Sequence, residues 1–580
     1  MTLLLVVAFP FSSAAVLAIL GRRLGRRSAG AILVGGLALA FATAVAIAQA
    51  FAAGKTSLVA EIGPWLPLRG ADLALRADPA TVPLLVTLTA VAAVLAFSAV
   101  TGGDEDVEVP RFGAAFALSV GGAALVVVAA NLMLLFAGWE LVAVGTYLLV
   151  AHRRDRPAAA AAGLRSFVVA RVGDAAFLVA VLALLGMFHT VDIAEITQHL
   201  SGFAAQPDAL ARFGTALFVP SLLVVIAALA RSAQLPLHLW LPDVSDAPAA
   251  ASALIHALVA SGGVVLIVRL GPLVHPGLLA GAAVVGALTA LAGASVALSQ
   301  TDLRRLLAWS TVSQLGLAIV AAGSGAAFAA LFILVAHALA KATLILAAAL
   351  RRTRVGRIAF AAGALTLAAV PPLAGYFCFG TLTTGADAGP ALVAAALATS
   401  GLTGLHAARL MRLTPQTGEV SSMTDAPIAH VAPVILAVGA VSFGALAVGG
   451  AISLGVLVGS PAAPDLAAAG ALLAFAGLAA GTLLRMPLPR TSLPIWLRDA
   501  ARFGLEIETT YRLSMGPFRA AAQLLDRGTE DVVLQGSAFV GVVVARAAEV
   551  ASGAHRRYAR AGNAIVIAAA LGLVAYWTLR

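Results

Sequence analysis

The chain has 580 residues, of which 61% are hydrophobic and only 11% charged, with a mean hydropathy of +1.00. A soluble domain carries roughly 25% charged residues, so there is too little charge here to clothe a water-facing surface, and a soluble enzyme is excluded. Apolar runs of about 20 residues, the length needed to cross a bilayer, recur from end to end, and the class expected is an all-α polytopic membrane protein.

Composition removes other classes as well. One cysteine, Cys378, can neither ligate an iron–sulfur cluster, build a structural zinc site nor form an internal disulfide. Gly54-Lys55-Thr56 resembles the end of a phosphate loop, but Gln49 stands where the first glycine is required and no strand precedes it. No dinucleotide fingerprint follows a strand. The chain is therefore expected to carry no cofactor and no metal, and to do no redox chemistry or ATP hydrolysis alone. The net charge of +10 lies in short basic clusters between apolar runs, which marks topology rather than a nucleic-acid face.

From the N-terminus, spans are expected near 2–20, 29–53, 79–101, 111–130, 131–151, 165–187, 213–246, 249–270, 277–299, 303–323, 326–350, 358–381, 390–411, 427–458, 464–485 and 562–579, about sixteen in all. The first run has no basic leader and no small-residue cleavage site, so it reads as a retained helix. Simple alternation puts the arginine clusters at 22–27, 153–156, 304–305, 351–357, 409–412, 485–490 and 556–560 on one face. By the positive-inside rule that face is cytoplasmic and the N-terminus lies outside. The intervening loops at 54–78, 188–212, 271–276 and 382–389 are poorer in arginine; the acidic loop 102–109 falls inside without basic support. Residues 497–560 are too charged for a span and have both flanks on the cytoplasmic face, as a long amphipathic helix along the membrane or across neighbouring subunits requires. A cytoplasmic loop with two short helices is the other reading.

Proline interrupts two long apolar runs, at Leu235-Pro236-Leu237 through Pro242 and Pro248, and at Pro371-Pro372. Each proline removes a donor and clashes with the preceding turn. In a membrane the freed carbonyls must line a cavity or be buried in protein, and paired breaks in two halves point to a transport site. The breaks fall in the seventh and twelfth spans. Two five-helix repeats follow, 111–270 and 277–411, inverted because five is odd. Around them lie N-terminal helices at 1–110, C-terminal helices at 427–485, the lateral segment 497–560 and the final span 562–579.

Ionisable groups within spans are costly and functional by default. Glu140 lies in Phe136–Leu141, and Arg171 and Asp174 are three apart on one helical face, where they can pair. Arg231 stands one turn before the first break, and His256 lies within Ser252–Ala257. His337 and Lys341, four apart, share a face and can pass a proton. Of 37 basic residues only Lys55 and Lys341 are lysines. Arginine keeps its charge while buried lysine can release its proton, so a lysine at mid-membrane in an arginine-using chain indicates a proton carrier. Glu140 is expected to handle protons rather than only brace Arg171 or Arg231, whereas Arg171–Asp174 is expected to be a structural charge pair. His238 and Tyr376, beside the breaks, are secondary candidates.

These residues carry a resemblance. Gly138-Trp139-Glu140 with Tyr147-Leu148-Leu149, Ser166–Asp174, Arg231–Trp240, Ser252–Ala257, Gln300–Gln314 and His337–Lys341, in this order, resemble the subunit L family of proton-translocating NADH-quinone oxidoreductase (respiratory complex I), antiporter-like membrane subunits. The resemblance is strong over residues 80–380 and looser beyond, where the family's lateral helix matches 497–560. It implies two inverted half-channels joined by a buried Glu/His/Lys axis, with Glu140 pairing with the position of Arg231, His256 and His337 as bridging residues, and Lys341 as the central lysine. It also implies partners: other complex I membrane subunits, especially antiporter-like ones contacted by the lateral helix, in an inner (plasma) membrane, with no nucleic acid. NADH or another donor, FMN, iron–sulfur clusters and quinone would be held by other subunits.

The sequence departs from the family at three places. Arg231 replaces a titrating lysine and cannot release a proton. Phe379, after Gly375-Tyr376-Phe377-Cys378, stands where a second lysine is usual, and Ile333 replaces a histidine found in some members. Three functions thus remain open: a pumping subunit of a quinone-reducing complex, a subunit of a cation/proton antiporter or proton-driven inorganic-carbon transporter, and a non-pumping structural paralogue.

Overall fold

A computed structural model describes residues 2–483, apart from 103–106, 154–155, 205–206, 245–246, 371–372, 374, 376–388, 414–426 and 449–463. The expected lateral segment 497–560, the final span 562–579, Pro371-Pro372, Tyr376 and Phe379 lie outside the described residues.

The chain opens with α1 (Thr2–Leu20) and α2 (Arg26–Ala52), followed by an antiparallel hairpin of β1 (Leu58–Pro64) and β2 (Asp72–Ala77). Then come α3 (Thr81–Thr101), α4 (Val109–Val128), α5 (Leu132–Val150), α6 (Pro157–Phe188), α7 (Ile193–Ala204) and α8 (Pro207–Arg231). A short turn of helix, α9 (Trp240–Asp243), precedes α10 (Ala249–Ala257) and α11 (Gly262–Leu270). The second half continues with α12 (Pro276–Ser299), α13 (Leu303–Gly323), α14 (Ala327–Ala349), α15 (Arg354–Leu367), α16 (Pro390–Arg412), α17 (Val431–Val448) and α18 (Pro464–Leu483).

Among the described residues twelve helices are long and apolar enough to cross a membrane, and each falls on an expected span. The reason is local: in hydrocarbon the backbone must satisfy its own hydrogen bonds, so a long apolar run has only the helix available. Helix starts are written in the sequence too. Asn131 accepts from the Leu134 amide to cap α5, Asp302 from Arg304 to cap α13, and Thr353 from Gly356 to cap α15.

The arginine-poor loops hold more structure than expected. The Asn131 side chain donates to the Asp72 carbonyl at 2.7 Å, the Ala130 amide to Ala74, and the Leu132 amide to Val191. Val191 in turn donates to Arg69, and Arg69 pairs with Glu195 on α7. Residues 54–78 are thus a hairpin and 188–212 include a helix, stitched together over the ends of α4 and α5.

Two breaks shape the middle of the molecule. In the seventh expected span, 213–246, regular helix ends at Arg231, before an irregular stretch to Leu239. The span at 249–270, read from sequence as continuous, is also interrupted, with Val259–Ser261 in a tighter 3₁₀ turn directly after His256-Ala257-Leu258. Ser232 serves both breaks. Its hydroxyl donates to the Ala260 carbonyl at 2.9 Å and accepts from the Val264 amide at 3.1 Å. Gly263 permits this contact, since a Cβ there would stand 1.9 Å from the Ala228 carbonyl. α13 is enclosed along its whole apolar length and α14 nearly so, which places them at the centre of the bundle.

Candidate functional site

Buried polar residues gather in two clusters, one within the first expected repeat and one where the two expected repeats meet. The first is built on α5, α6 and the end of α8. Arg171 contacts Glu140 at 2.6 Å and Asp174 at 2.7 Å, the latter one turn along the same helix. Arg231 contacts the other Asp174 oxygen at 3.0 Å and donates to the Trp139 carbonyl at 3.2 Å. Its guanidinium lies 4.4 Å from the Trp139 ring centre, a cation–π contact. The Trp139 indole N–H donates to Asp174 at 2.5 Å. Arg231 closes α8, where the partial negative charge of the helix end favours a cation.

This geometry corrects one expectation. The acid in direct contact with Arg231 is Asp174, and Glu140 reaches Arg171 instead. The reason is position: Asp174 is only 4% exposed and faces α8, whereas Glu140 and Arg171 are 26% and 37% exposed at their side chains. The expected Arg171–Asp174 pair is present and forms the middle of a Glu140–Arg171–Asp174–Arg231 chain. Trp139 belongs to it as well; its place beside Glu140 in Gly138-Trp139-Glu140 was the available signal. A small cavity lined by Thr146, Ser166, Phe167 and Trp240 adjoins Arg231.

The second cluster lies where α10, α13 and α14 meet. His337 Nε2 donates to the His256 carbonyl at 3.2 Å, beside the break after α10. Lys341, fully buried, donates to the Leu307 carbonyl at 2.9 Å and to the Ser310 hydroxyl. Nδ1 of both His256 and His337 finds no hydrogen-bond partner among the described residues. His256, His337 and Lys341 are thus brought together as one group, with Lys341 held by α13. Ser310 was not singled out from sequence; a serine two turns into an apolar helix carries no distinguishing pattern until the lysine is placed against it. His238 packs against Trp309 at 5.0 Å between ring centres. Among the described residues no three His, Cys, Asp or Glu side chains are placed to share a metal ion.

An array of this kind can hold fixed charge at one end and exchange a proton at the other. Arg231 is permanently cationic and sets a field, while imidazole and a buried amine both gain and lose protons at accessible cost.

Comparison with known proteins places the chain among relatives. Residues 129–403 match the family model described as NADH:quinone oxidoreductase/Mrp antiporter, TM. NADH-quinone oxidoreductase subunit L of Mycobacterium tuberculosis is 32% identical, aligned over 99% of this chain and 98% of its own length. NADH-ubiquinone oxidoreductase chain 5 of Metridium senile is 33% identical over 60% of this chain and 57% of its own. Among solved structures, a chain of the Mrp complex from Dietzia sp. DQ12-45-1b superposes with a TM-score of 0.73 at 22% identity, over 94% of this chain and 63% of that one. A chain of the membrane-bound sulfane sulfur reductase, an archaeal respiratory membrane complex, gives 0.69 at 20% identity, over 83% of this chain and 99% of that one. These two likenesses speak to the fold.

Proposed function

Because the chain belongs to the NADH:quinone oxidoreductase/Mrp antiporter family of membrane subunits, we propose that it is the subunit L-type antiporter-like component of a quinone-reducing respiratory complex. In that role it moves protons while other subunits carry NADH or another donor, FMN, iron–sulfur clusters and quinone. It would sit in the plasma membrane with its N-terminus outside, against further antiporter-like subunits. End-to-end alignment with a subunit L supports the assembly role.

The single observation that carries the proton-moving role is Lys341: a fully buried lysine beside His337 and His256 in a chain whose one other lysine, Lys55, is exposed and whose remaining basic residues are arginine. A structural cation at that place would more cheaply be arginine, which forms a richer set of fixed hydrogen bonds. In this reading the ion-pair chain Glu140–Arg171–Asp174–Arg231 is a switchable field. When Glu140 releases Arg171, the charge balance around Asp174 and Arg231 changes, and with it the preference of the His256–His337–Lys341 group for a proton. Arg231 itself carries no proton across; it fixes the sign of the field.

Lys341→Ala in the intact complex tests this. Assembly and electron transfer to quinone are expected to persist while the protons moved per electron fall; an unchanged ratio overturns the reading. One observation favours a second reading, a non-pumping paralogue: Arg231 is locked by Asp174 and the Trp139 ring and cannot titrate. Co-purification in mild detergent separates the assemblies, since iron–sulfur and quinone-site subunits accompany a respiratory complex and a cation/proton antiporter set accompanies a transporter.

A further inference from the structure

The route proposed above leaves one central histidine without a task. His406 lies on α16, which packs against α12, α13, α15 and α18, and its side chain is fully buried. Neither Nδ1 nor Nε2 finds a hydrogen-bond partner among the described residues. An imidazole kept only for packing gains nothing from its nitrogens and bears the cost of burying them, so a leucine or phenylalanine would fill the same space better. Its surroundings are polar in a directed way. One turn earlier, Thr403 accepts from Gln314 of α13 at 3.4 Å, and one turn later Arg409 donates twice to the Gln300 carbonyl, at 2.7 and 2.9 Å. These contacts hold α16 against α13 and against the C-terminal end of α12; α13 is the helix whose Leu307 and Ser310 receive the Lys341 ammonium. An ammonium has three donors; two of those of Lys341 are used, and the Thr403–Gln314 and Arg409–Gln300 contacts on either side of His406 set it at the level of Leu307 and Ser310, the residues that receive Lys341.

We propose that His406 is the proton-exchanging partner of Lys341 on α16, extending the His256–His337–Lys341 group into the last helix of the second repeat. The inference rests on the proton-moving role of Lys341 argued above. In the forward step the Lys341 ammonium gives up one proton and becomes a neutral amine, while one ring nitrogen of His406 accepts it and the ring becomes an imidazolium. The return step reverses both. The charged groups that bear on His406 are Lys341 from α14 and Arg409 on its own helix. Arg409 is fixed on the Gln300 carbonyl, so Lys341 is the group with which a proton can be traded.

The test uses the full-length chain in its intact complex, reconstituted in lipid vesicles, with protons moved per electron as the readout and co-purification of the partner subunits as the assembly control. His406→Gln keeps a neutral hydrogen-bonding side chain but cannot titrate; it is expected to assemble and to lose the same share of pumping as Lys341→Ala. His406→Lys, which can titrate, is expected to recover a measurable part of that loss. His406→Asn, smaller and also non-titrating, stands in if glutamine disturbs assembly. Normal pumping by the amide variant, or a lysine variant no better than it, overturns the proposal, as does failure of all three to assemble. If Lys341→Ala pumps poorly and His406→Gln pumps normally, only the role of His406 falls. If Lys341→Ala pumps normally, the proton path through Lys341 falls and this inference with it.

Discussion

Arg231 and Asp174 show how strongly a buried charge depends on its immediate partners. Their side chains are 6% and 4% exposed, and breaking such a pair from one side leaves the other charge stranded, at a cost of about 3–5 kcal/mol. Asp174→Asn is therefore expected to lower the thermal midpoint and the detergent-extracted yield sharply, because it strands Arg231 and weakens the hold on Arg171 together. Trp139→Phe keeps a ring beneath the guanidinium but deletes the indole donor to Asp174; a loss of about 1–3 kcal/mol is expected, read as a smaller fall in the same midpoint. If Asp174→Asn proves no more harmful than Trp139→Phe, the ion pair is not the main support of this cluster. Glu140→Gln should be mild for stability, since Arg171 retains Asp174 at 2.7 Å, and any defect it causes should appear in proton movement.

Between helices, contact is set by small residues. Gly122 on α4 and Gly138 on α5 face one another so closely that a Cβ on either would stand 2.9 Å from the other's carbonyl oxygen. Gly286 on α12 and Gly316 on α13 repeat the arrangement, at 2.7 and 2.6 Å. Membrane helices lack a hydrophobic drive toward one another and gain from such close backbone approach. One such reciprocal crossing joins the first two helices of each expected repeat. Gly122→Leu and Gly316→Leu should each force their helix pair apart, and both variants are expected to aggregate or assemble poorly while substitutions at open Gly281 leave assembly unchanged. Ser232→Ala probes the breaks instead. It orphans the Ala260 carbonyl and the Val264 amide together, for which about 1–3 kcal/mol of destabilisation is expected, measured by thermal unfolding of the purified protein.

The orientation of the bundle follows from charge. The arginines of 22–27 and 351–357 belong to one face, and the hairpin of residues 58–77 with its partner α7 belongs to the other, if the spans alternate. In a Cys378→Ser background, Lys55→Cys should react with a membrane-impermeant thiol reagent in intact cells, and Arg352→Cys only after the membrane is opened. Both positions are exposed, so the reverse pattern would invert the topology rather than reflect a buried probe. Rapid labelling of both in intact cells would contradict alternation itself.

What the linear order of residues established is what a bilayer demands of each segment separately. Hydropathy and length placed the long helices, proline placed the first break, and the solitary mid-span lysine and the Gly138-Trp139-Glu140 and His337–Lys341 motifs marked the polar core, because each is a property of a window of about 20 residues. The hairpin, α7 and the second break after His256 escaped, since the hairpin and α7 are held by contacts to distant chain and the break has no proline to announce it. Partner choice escaped for the same reason. Which acid meets Arg231, which hydroxyl receives Lys341, and that His406 is fully buried are matters of helix rotation and depth, and these are fixed only when the glycine crossings and the Ser232 bridge have set every helix against its neighbours.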